Sequence, residues 1–227
     1  TSERLMPAFF ILGLLVLWEG AVRIFGIPLY VLPSPVQVAE TLVQELPVLA
    51  LHARVTVAEA LAGVAISLVL ALALGILMDC FPMIRQGLYP VLVVTQTVPM
   101  IVLAPIFIIY MGFGAAPKIL TVVLMCFFPV AVSFSDGLSQ VDAEYVHLVR
   151  SYGAGQWKTY CLVKIPAAVP ALLSGLKVAA TYSISGAVVG EWIGSQEGLG
   201  YYLLRVKNGY MLDKVFACVA VIIFLSL

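Results

Sequence analysis

The 227-residue chain is 63% hydrophobic and only 11% charged, whereas an ordinary globular protein has roughly 25% charged residues. Its mean hydropathy of +1.10 leaves too little polar surface for a water-soluble domain, so lipid is the expected solvent. Twelve Lys and Arg residues balance twelve Asp and Glu residues, which argues against a basic field for nucleic acid and against an acidic tail.

Long runs without charge locate the predicted membrane spans, because an ionised group at the bilayer centre costs about 2.5–3.5 kcal/mol. A span needs about 20 residues. Six segments meet this test, and they are residues 6–25, 56–78, 87–113, 117–136, 168–189 and 214–227. No small-residue cleavage site follows the first segment, which therefore reads as a transmembrane helix and not as a signal peptide. Because Leu227 falls within an apolar run, we expect the last helix to extend further.

Three local patterns refine these spans. Residues 36–51 carry too many charges to cross a bilayer and predict a helix at the interface. Small residues recur every four positions in the second span and favour close helix packing; they are Gly63, Ser67, Ala71 and Gly75. Prolines are expected to bend the third span, and they are Pro90, Pro99 and Pro105. Residues 190–213 are expected to form an outer loop.

The longest polar interval, residues 142–166, predicts a helical hairpin between the fourth and fifth spans. Gly153 and Gly155 allow a sharp turn between two short helices, residues 143–152 and 156–163. Pro166 suits the first turn of the following helix. Lys and Arg are distributed too evenly between the two sides of the membrane for the positive-inside rule to assign the hairpin to the cytosol.

The hairpin carries a recognisable signature. Gly153, nine further residues and then Val163-x-Ile165-Pro166 resemble the loop of binding-protein-dependent ABC transporter permeases, written E-A-A-x3-G-x9-I-x-L-P. The LPSP, TQTVP, GFG and GEWIGSQEGLG segments, which begin at residues 32, 95, 112 and 190, resemble the nitrate/sulfonate/taurine branch. Permeases for the thiamine pyrimidine precursor and for riboflavin are similar. The resemblance implies an all-α membrane protein with six transmembrane helices in the type I importer (MetI-like) permease fold.

The resemblance also implies that the hairpin contacts a cytosolic ATPase. The E-A-A triplet falls on His147, Leu148 and Val149, so the usual glutamate is absent; Glu144, one helical turn earlier, is the candidate replacement. The residues assigned to this coupling role are Glu144, His147, Leu148, Val149, Arg150, Tyr152, Gly153 and Ala154.

Polar residues inside spans are candidates for a translocation path, since such side chains face protein or a water-filled cavity. They are Thr95, Gln96, Thr97, Tyr182, Ser183, Ser185 and Glu191. Hydrogen bonding between helices is the alternative for the first six. For Glu191 the alternative is an interfacial anchor beside Trp192. Glycines recur every four residues at the end of the fifth span and in the outer loop and favour helix packing, either within the chain or across a dimer axis; they are Gly186, Gly190, Gly194 and Gly198.

The sequence argues against several classes of enzyme. It contains no G-x-x-x-x-G-K-[ST] phosphate loop, no H-E-x-x-H and no G-x-S-x-G motif. The four cysteines are far apart and predict no metal site or disulfide framework. We therefore expect no catalytic residue, no metal and no cofactor in this chain, with ATP and Mg²⁺ bound by a partner ATPase.

The sequence favours the membrane subunit of an ABC importer in a bacterial inner membrane. A second copy of the chain, a cytosolic ATPase dimer and an extracytoplasmic binding protein are the expected partners. The expected solute is small and organic or anionic, such as a pyrimidine precursor, a sulfonate or a nitrate-like ion. An ion-coupled secondary transporter and a membrane scaffold are the alternatives.

Overall fold

The computed structural model describes the backbone of residues 2–227, together with the side chains of residue 6 and residues 9–227. The described backbone is almost entirely helical. The α-helices, in chain order, are α1 Ser2–Ile24, α2 Pro35–Cys80, α3 Pro82–Thr95, α4 Met100–Met111, α5 Ala115–Ser139, α6 Ala143–Ser151, α7 Gln156–Thr159, α8 Ile165–Glu191, α9 Leu199–Asn208 and α10 Leu212–Ser226. A π-helical turn, Tyr160–Lys164, joins α7 to α8.

Three helical stretches of the described chain are long and apolar enough to cross a membrane. They are α2, α5 and the continuous stretch Gln156–Glu191, while α3 and α4 make a fourth if the bent pair is one span. Helix α10 has 15 residues, fewer than the roughly 20 that a span needs. The number of spans therefore stays a prediction from the sequence.

The chain divides into two compact units. The terminal unit contains the chain up to Val55 together with Gln196–Leu225, and the central unit contains Thr56–Ser195. Helix α2 contributes to both units. Its 46 residues would extend about 70 Å at 1.5 Å per residue, which is more than twice the roughly 30 Å hydrocarbon core of a bilayer.

The helix predicted for residues 36–51 is present, but the prediction that it is separate from the second span is wrong, because these residues form the first part of α2. The charged residues that argued against a span form hydrogen bonds and ion pairs inside the terminal unit. Glu45 accepts from Lys214 Nζ at 2.5 Å and from the Tyr202 hydroxyl at 3.1 Å, and Thr41 donates to Asp213 at 3.1 Å. Burial, with the nearby Glu45 carboxylate, raises the pKa of Tyr202.

The predicted outer loop at residues 190–213 is also wrong in part, since it contains helix α9. The N–H of Gly198, at the start of α9, donates to His52 Nδ1 at 3.1 Å. The His52 ring lies 5.5 Å from the ring of Tyr202, measured between centroids. Polar and aromatic contacts thus order a segment whose composition resembles a loop.

Helix α5 is the centre of the central unit, and small residues let its neighbours approach closely. The predicted stripe on α2 packs against it: Ser67 donates to the Val123 carbonyl at 2.9 Å, and a Cβ at Gly75 would lie 2.5 Å from Phe134. On α8, a Cβ at Gly175 would lie 2.8 Å from the carbonyl oxygen of Pro129. The small-residue pattern therefore predicted helix packing correctly.

Candidate functional site

The first helix of the hairpin, α6, stands apart from the core. None of the nine residues of α6 is buried. Tyr145 is 62% exposed, Leu148 53% and Tyr152 85%. Large apolar side chains on a short helix without a buried face indicate a surface that another molecule covers.

Both ends of α6 are well capped, which explains why a nine-residue helix is stable without a buried face. Asp142 is the N-cap, and its carboxylate accepts from the Glu144 N–H at 2.9 Å. At the other end Gly153 has φ of +84°. Its N–H donates to the Arg150 carbonyl, and the Ala154 N–H donates to the Val149 carbonyl. This is a Schellman motif with glycine at the left-handed position, so the turn predicted at Gly153 is confirmed.

The structure presents most of the predicted coupling residues to solvent. Glu144, His147, Leu148, Arg150, Tyr152 and Gly153 are exposed, while Val149 and Ala154 are half-buried. Glu144 lies in the first turn of α6, one turn before His147. The candidate replacement for the missing glutamate is thus accessible, and its role stays a prediction.

The second hairpin helix was predicted to end at residue 163, before the fifth span. It does not end there. Residues 156–191 are helical throughout, and the π-turn precedes Pro166. Proline lacks an N–H and its ring clashes with the carbonyl of residue i−4. The π-turn is a local change of helical pitch that accommodates this misfit. As a result, α7, the π-turn and α8 are one continuous helical body.

A cluster that sequence reasoning missed ties this body to the end of α2. Lys164 Nζ lies 2.6 Å from Asp79 Oδ2, and the Tyr160 hydroxyl donates to the same oxygen. The Tyr160 hydroxyl also lies 3.2 Å from Cys80 Sγ. No spacing rule joins residues 79 and 164, so the sequence does not indicate this cluster. We name these four residues the Asp79 cluster.

The predicted bend in the third span is a complete break. Helices α3 and α4 turn by 102° relative to each other, with Pro99 as the N-cap of α4. Pro90 and Pro105 lie inside α3 and α4, so only the central proline coincides with the break. Broken helices inside membranes are tolerated where they line a cavity or are buried in protein.

A cavity of about 530 Å³ adjoins this break. It is lined mainly by apolar side chains from α4, α5 and α8, with Gln96 and Tyr182 as its polar members; the apolar lining residues are Val98, Met100, Ile101, Leu124, Met125, Phe128, Pro129, Val178 and Val189. Two of the seven predicted path residues therefore share one cavity.

The other predicted path residues do not line this cavity. Thr95 and Thr97 donate to carbonyls one turn earlier in the chain, Thr95 to Val91 at 2.9 Å and Thr97 to Val94 at 2.7 Å. Ser183 is buried and donates to the Ala180 carbonyl at 2.7 Å. Ser185 is exposed. The threonines and Ser183 thus satisfy their hydroxyls within their own segments, and neither helix-to-helix bonding nor a path role follows from these contacts.

Glu191 is only 1% exposed, and its carboxylate accepts from the Thr56 hydroxyl at 2.7 Å. Nearby in the sequence of α2, Glu59 forms a salt bridge with Lys118 of α5, with side-chain exposures of 7% and 9%. Lys118 Nζ also lies 3.4 Å from Ser195 Oγ. Glu191 is therefore a buried hydrogen-bond acceptor between α2 and α8. The alternative of an interfacial anchor beside Trp192 did not include this contact.

These features define a class of protein: a helical membrane permease with an exposed, capped hairpin and a broken helix beside a cavity. Comparison of the sequence with known families gives a match to the binding-protein-dependent transport system inner membrane component over residues 63–227. The chain belongs to this family. It is thus an ABC transporter permease of the inner membrane, in the branch that the sequence motifs indicated.

Similar proteins cover nearly the whole chain. The formylaminopyrimidine transport permease protein ThiX of Halalkalibacterium halodurans is 35% identical over 99% of this chain and 90% of its own length. The riboflavin transport system permease protein RibX of Chloroflexus aurantiacus is 30% identical over 94% and 81%. The putative aliphatic sulfonates transport permease protein SsuC of Bacillus subtilis is 31% identical over 97% and 78%.

Proposed function

We propose that this chain is the transmembrane subunit of an ATP-driven importer and forms the translocation path for a small organic or anionic solute. The solute class in the proposal covers pyrimidine precursors, sulfonates and nitrate-like ions. The relatives named for formylaminopyrimidine and for aliphatic sulfonates support the first two. The observation that carries the proposal is the hairpin: an exposed, capped helix, α6, is followed across the turn at residues 152–155 by a helical stretch that continues into the membrane-long helix α8.

In this proposal, a cytosolic ATPase dimer contacts α6 through the exposed side chains of Tyr145, Leu148 and Tyr152. ATP binding and Mg²⁺ chemistry take place in that partner. A second copy of the permease completes the path, and an extracytoplasmic binding protein delivers the solute. This chain contributes no catalytic group; it converts movement of its partner into movement of its helices.

Two structural features support the transmission of that movement, the continuity of a helix and a polar cluster. Because α7, the π-turn and α8 form one helical body, a displacement of the hairpin displaces α8. The Asp79 cluster extends the same displacement to α2. Helix packing is bistable and does not deform continuously, so such a push selects between two arrangements.

Reconstituted vesicles test the proposal. The permease is reconstituted with a candidate ATPase and a candidate binding protein from the same organism. Uptake of labelled solute is followed with and without ATP on the side of the membrane that holds the ATPase. The proposal expects uptake that requires ATP and both partners. Uptake driven by an ion gradient alone would indicate a secondary transporter, and no uptake under any condition would favour a scaffold.

A further inference from the structure

Helix α8 has two faces of different chemistry. One face packs against α5 through small residues that are buried, among them Ala168, Gly175 and Ala179. The opposite face is exposed and carries polar side chains at helical spacing; they are Ser174, Lys177, Thr181 and Ser185. We name these four residues the polar face of α8.

Lys177 lies near the middle of α8. It follows Ile165 by twelve residues and precedes Glu191 by fourteen, which places it about 18 Å and about 21 Å from the two helix ends. Ionisable side chains at such depth face other protein or a water-filled cavity, because lipid solvates them poorly. The described part of the chain leaves this side chain exposed, so its own fold does not shield Lys177 from its surroundings.

The cavity beside the break between α3 and α4 adjoins the polar face. Val178 and Tyr182 line this cavity, and they directly follow Lys177 and Thr181 in α8. Tyr182 is 49% exposed, so the cavity is open at this point. Water that fills the cavity therefore reaches the neighbouring polar face.

The acidic residues of the predicted spans are engaged elsewhere. Each forms an ion pair within the chain; they are Glu19, Glu59 and Asp136. A second, identical copy brings the same pairs and offers Lys177 no unpaired carboxylate from these spans. No ion-pair partner of Lys177 lies among the side chains that the structure describes. Water, and not a neighbouring acid, is thus the surrounding that fits this cation.

We propose that the polar face of α8 lines an aqueous path between two copies of this chain, and that Lys177 makes the path reject positively charged solutes. The inference rests on the proposed function, because it names the residue that sets the charge selectivity of the same path. Two copies bring two lysines to it. Cationic side chains that line a pore exclude cations by electrostatic repulsion. Neutral and negative solutes both pass such a filter, so the inference does not choose between them.

A lipid-facing lysine is the competing explanation, because a lysine stem can extend along a helix and hold its ammonium group at the membrane surface. The two explanations differ at neighbouring positions. A cysteine is too short to reach the surface from mid-helix, so it contacts water only where the face itself is wet. Thr181 suits this test, since it lies one turn after Lys177 and its hydroxyl donates to the Lys177 carbonyl at 3.2 Å.

Thiol labelling of the full-length permease in lipid nanodiscs tests the inference without knowledge of the solute. Thr181→Cys is treated with two reagents of opposite charge, sulfonatoethyl and trimethylammonioethyl methanethiosulfonate, and mass spectrometry follows each cysteine. The native Cys161 is exposed and is the internal reference. It lies about 24 Å along the helix from Lys177, beyond the Debye length of about 10 Å at about 0.1 M salt.

We expect Thr181→Cys to react, and Val69→Cys, 66% exposed on an apolar part of α2, to resist both reagents. The ratio of the anionic to the cationic rate, relative to Cys161, should fall about tenfold when Lys177→Gln is added, because a unit charge about 6 Å away changes the two rates in opposite directions. Lys177→Glu should lower the ratio further, and Lys177→Arg should retain it. Lys207→Gln neutralises an exposed lysine outside the predicted spans and is the matched control that should leave the ratio unchanged.

Two results would overturn the inference. No reaction at Thr181→Cys, or an equally fast reaction at Val69→Cys, would show that the face is no wetter than an apolar one and would favour the lipid-facing lysine. A rate ratio that ignores both Lys177→Gln and Lys177→Glu would show a wet face without charge selection. Neither measurement uses ATP. The proposed function fails separately, if no solute is taken up by the reconstituted vesicles in an ATP-dependent manner.

Discussion

Two ion pairs of the central unit lie on the same helix and have different surroundings. Glu59 and Asp79 are twenty residues apart on α2, about 30 Å along its axis, which is close to the thickness of a hydrocarbon core. Glu59 pairs with Lys118, whose side chain is 9% exposed, and Asp79 pairs with Lys164, whose side chain is 20% exposed. The first pair joins α2 to the central helix α5, and the second joins α2 to the hairpin.

The difference in exposure suggests two different roles for the pairs: one stabilises the helix bundle, and the other takes part in its movement. A pair buried on both sides cannot exchange its partners for water without a large cost. A pair with partial access to water, beside the hairpin, can break and reform during a conformational cycle. The comparison therefore assigns the Glu59–Lys118 pair to stability and the Asp79 cluster to coupling. The following variants test that assignment.

The largest expected effect comes from Lys118→Ala. It leaves the buried Glu59 carboxylate without its cation, a change that costs about 3–5 kcal/mol in comparable sites. Detergent-induced unfolding of the purified permease measures the loss. The double variant Glu59→Leu/Lys118→Met is the control and should regain most of the stability, because both charges leave together. Wild-type stability of Lys118→Ala would show that the pair does not hold the bundle.

Variants of the Asp79 cluster should lose coupling, and they should lose less stability than Lys118→Ala, because Lys164 is more exposed than Lys118. We expect Asp79→Asn and Lys164→Ala to lower ATP-driven uptake by about 5–150-fold, the usual range of coupling between sites. ATP hydrolysis by the assembled transporter should continue, so the ratio of solute imported to ATP hydrolysed falls.

Arg85→Ala is the matched control for this comparison. Arg85 lies 3.6 Å from Asp136 with about a third of its side chain exposed, and this pair does not involve the hairpin. Its removal should leave the transport ratio near the wild-type value. An equal loss in Arg85→Ala and Lys164→Ala would mean that the Asp79 cluster has no special part in coupling.

A smaller effect is expected at the hairpin turn. Gly153→Ala forces a side chain into φ of +84° and should destabilise the turn by about 1–2 kcal/mol. Gly155 has φ of −70°, so Gly155→Ala should be neutral or slightly stabilising. Hydrogen exchange of the α6 amides compares the two variants. Equal exchange rates would show that the left-handed turn does not order the hairpin.

The smallest effect is expected at the start of α6. Asp142→Ala removes the N-cap acceptor and should weaken α6 by about 1 kcal/mol, whereas Asp142→Asn retains a capping oxygen. Faster amide exchange at Glu144 in the alanine variant alone supports the assignment. Similar exchange in both variants would mean that charge, and not capping, stabilises this helix end.

The sequence allowed prediction of those features that depend on local chemistry. Apolar runs located membrane-long helices, the stripe from Gly63 to Gly75 indicated a packed face, and Gly153 indicated the left-handed turn. These patterns require no knowledge of distant partners. Continuity of α2 and of residues 156–191 was missed because charges and prolines normally end helices, and here side-chain pairing and a π-turn accommodate them.

Most of the missed site features are long-range contacts. Asp79 and Lys164 are far apart in the chain, and so are Glu59 and Lys118; nothing in their local sequence distinguishes them from surface charges. The rule that selects polar residues in apolar spans found Gln96 and Tyr182, which line one cavity, but it also found Ser183, which is buried. Polarity alone does not reveal the direction in which a helical side chain points.

The central claim is that the hairpin meets a cytosolic ATPase, and site-directed photocrosslinking tests it most directly. A benzophenone side chain replaces Leu148 on α6, and a second variant carries it at Tyr210, which is 79% exposed in the segment predicted to face outward. In the assembled transporter in membrane vesicles, we expect Leu148 to crosslink to the ATPase and Tyr210 not to do so. Absence of an ATPase crosslink from Leu148, or an equal crosslink from Tyr210, would contradict the account.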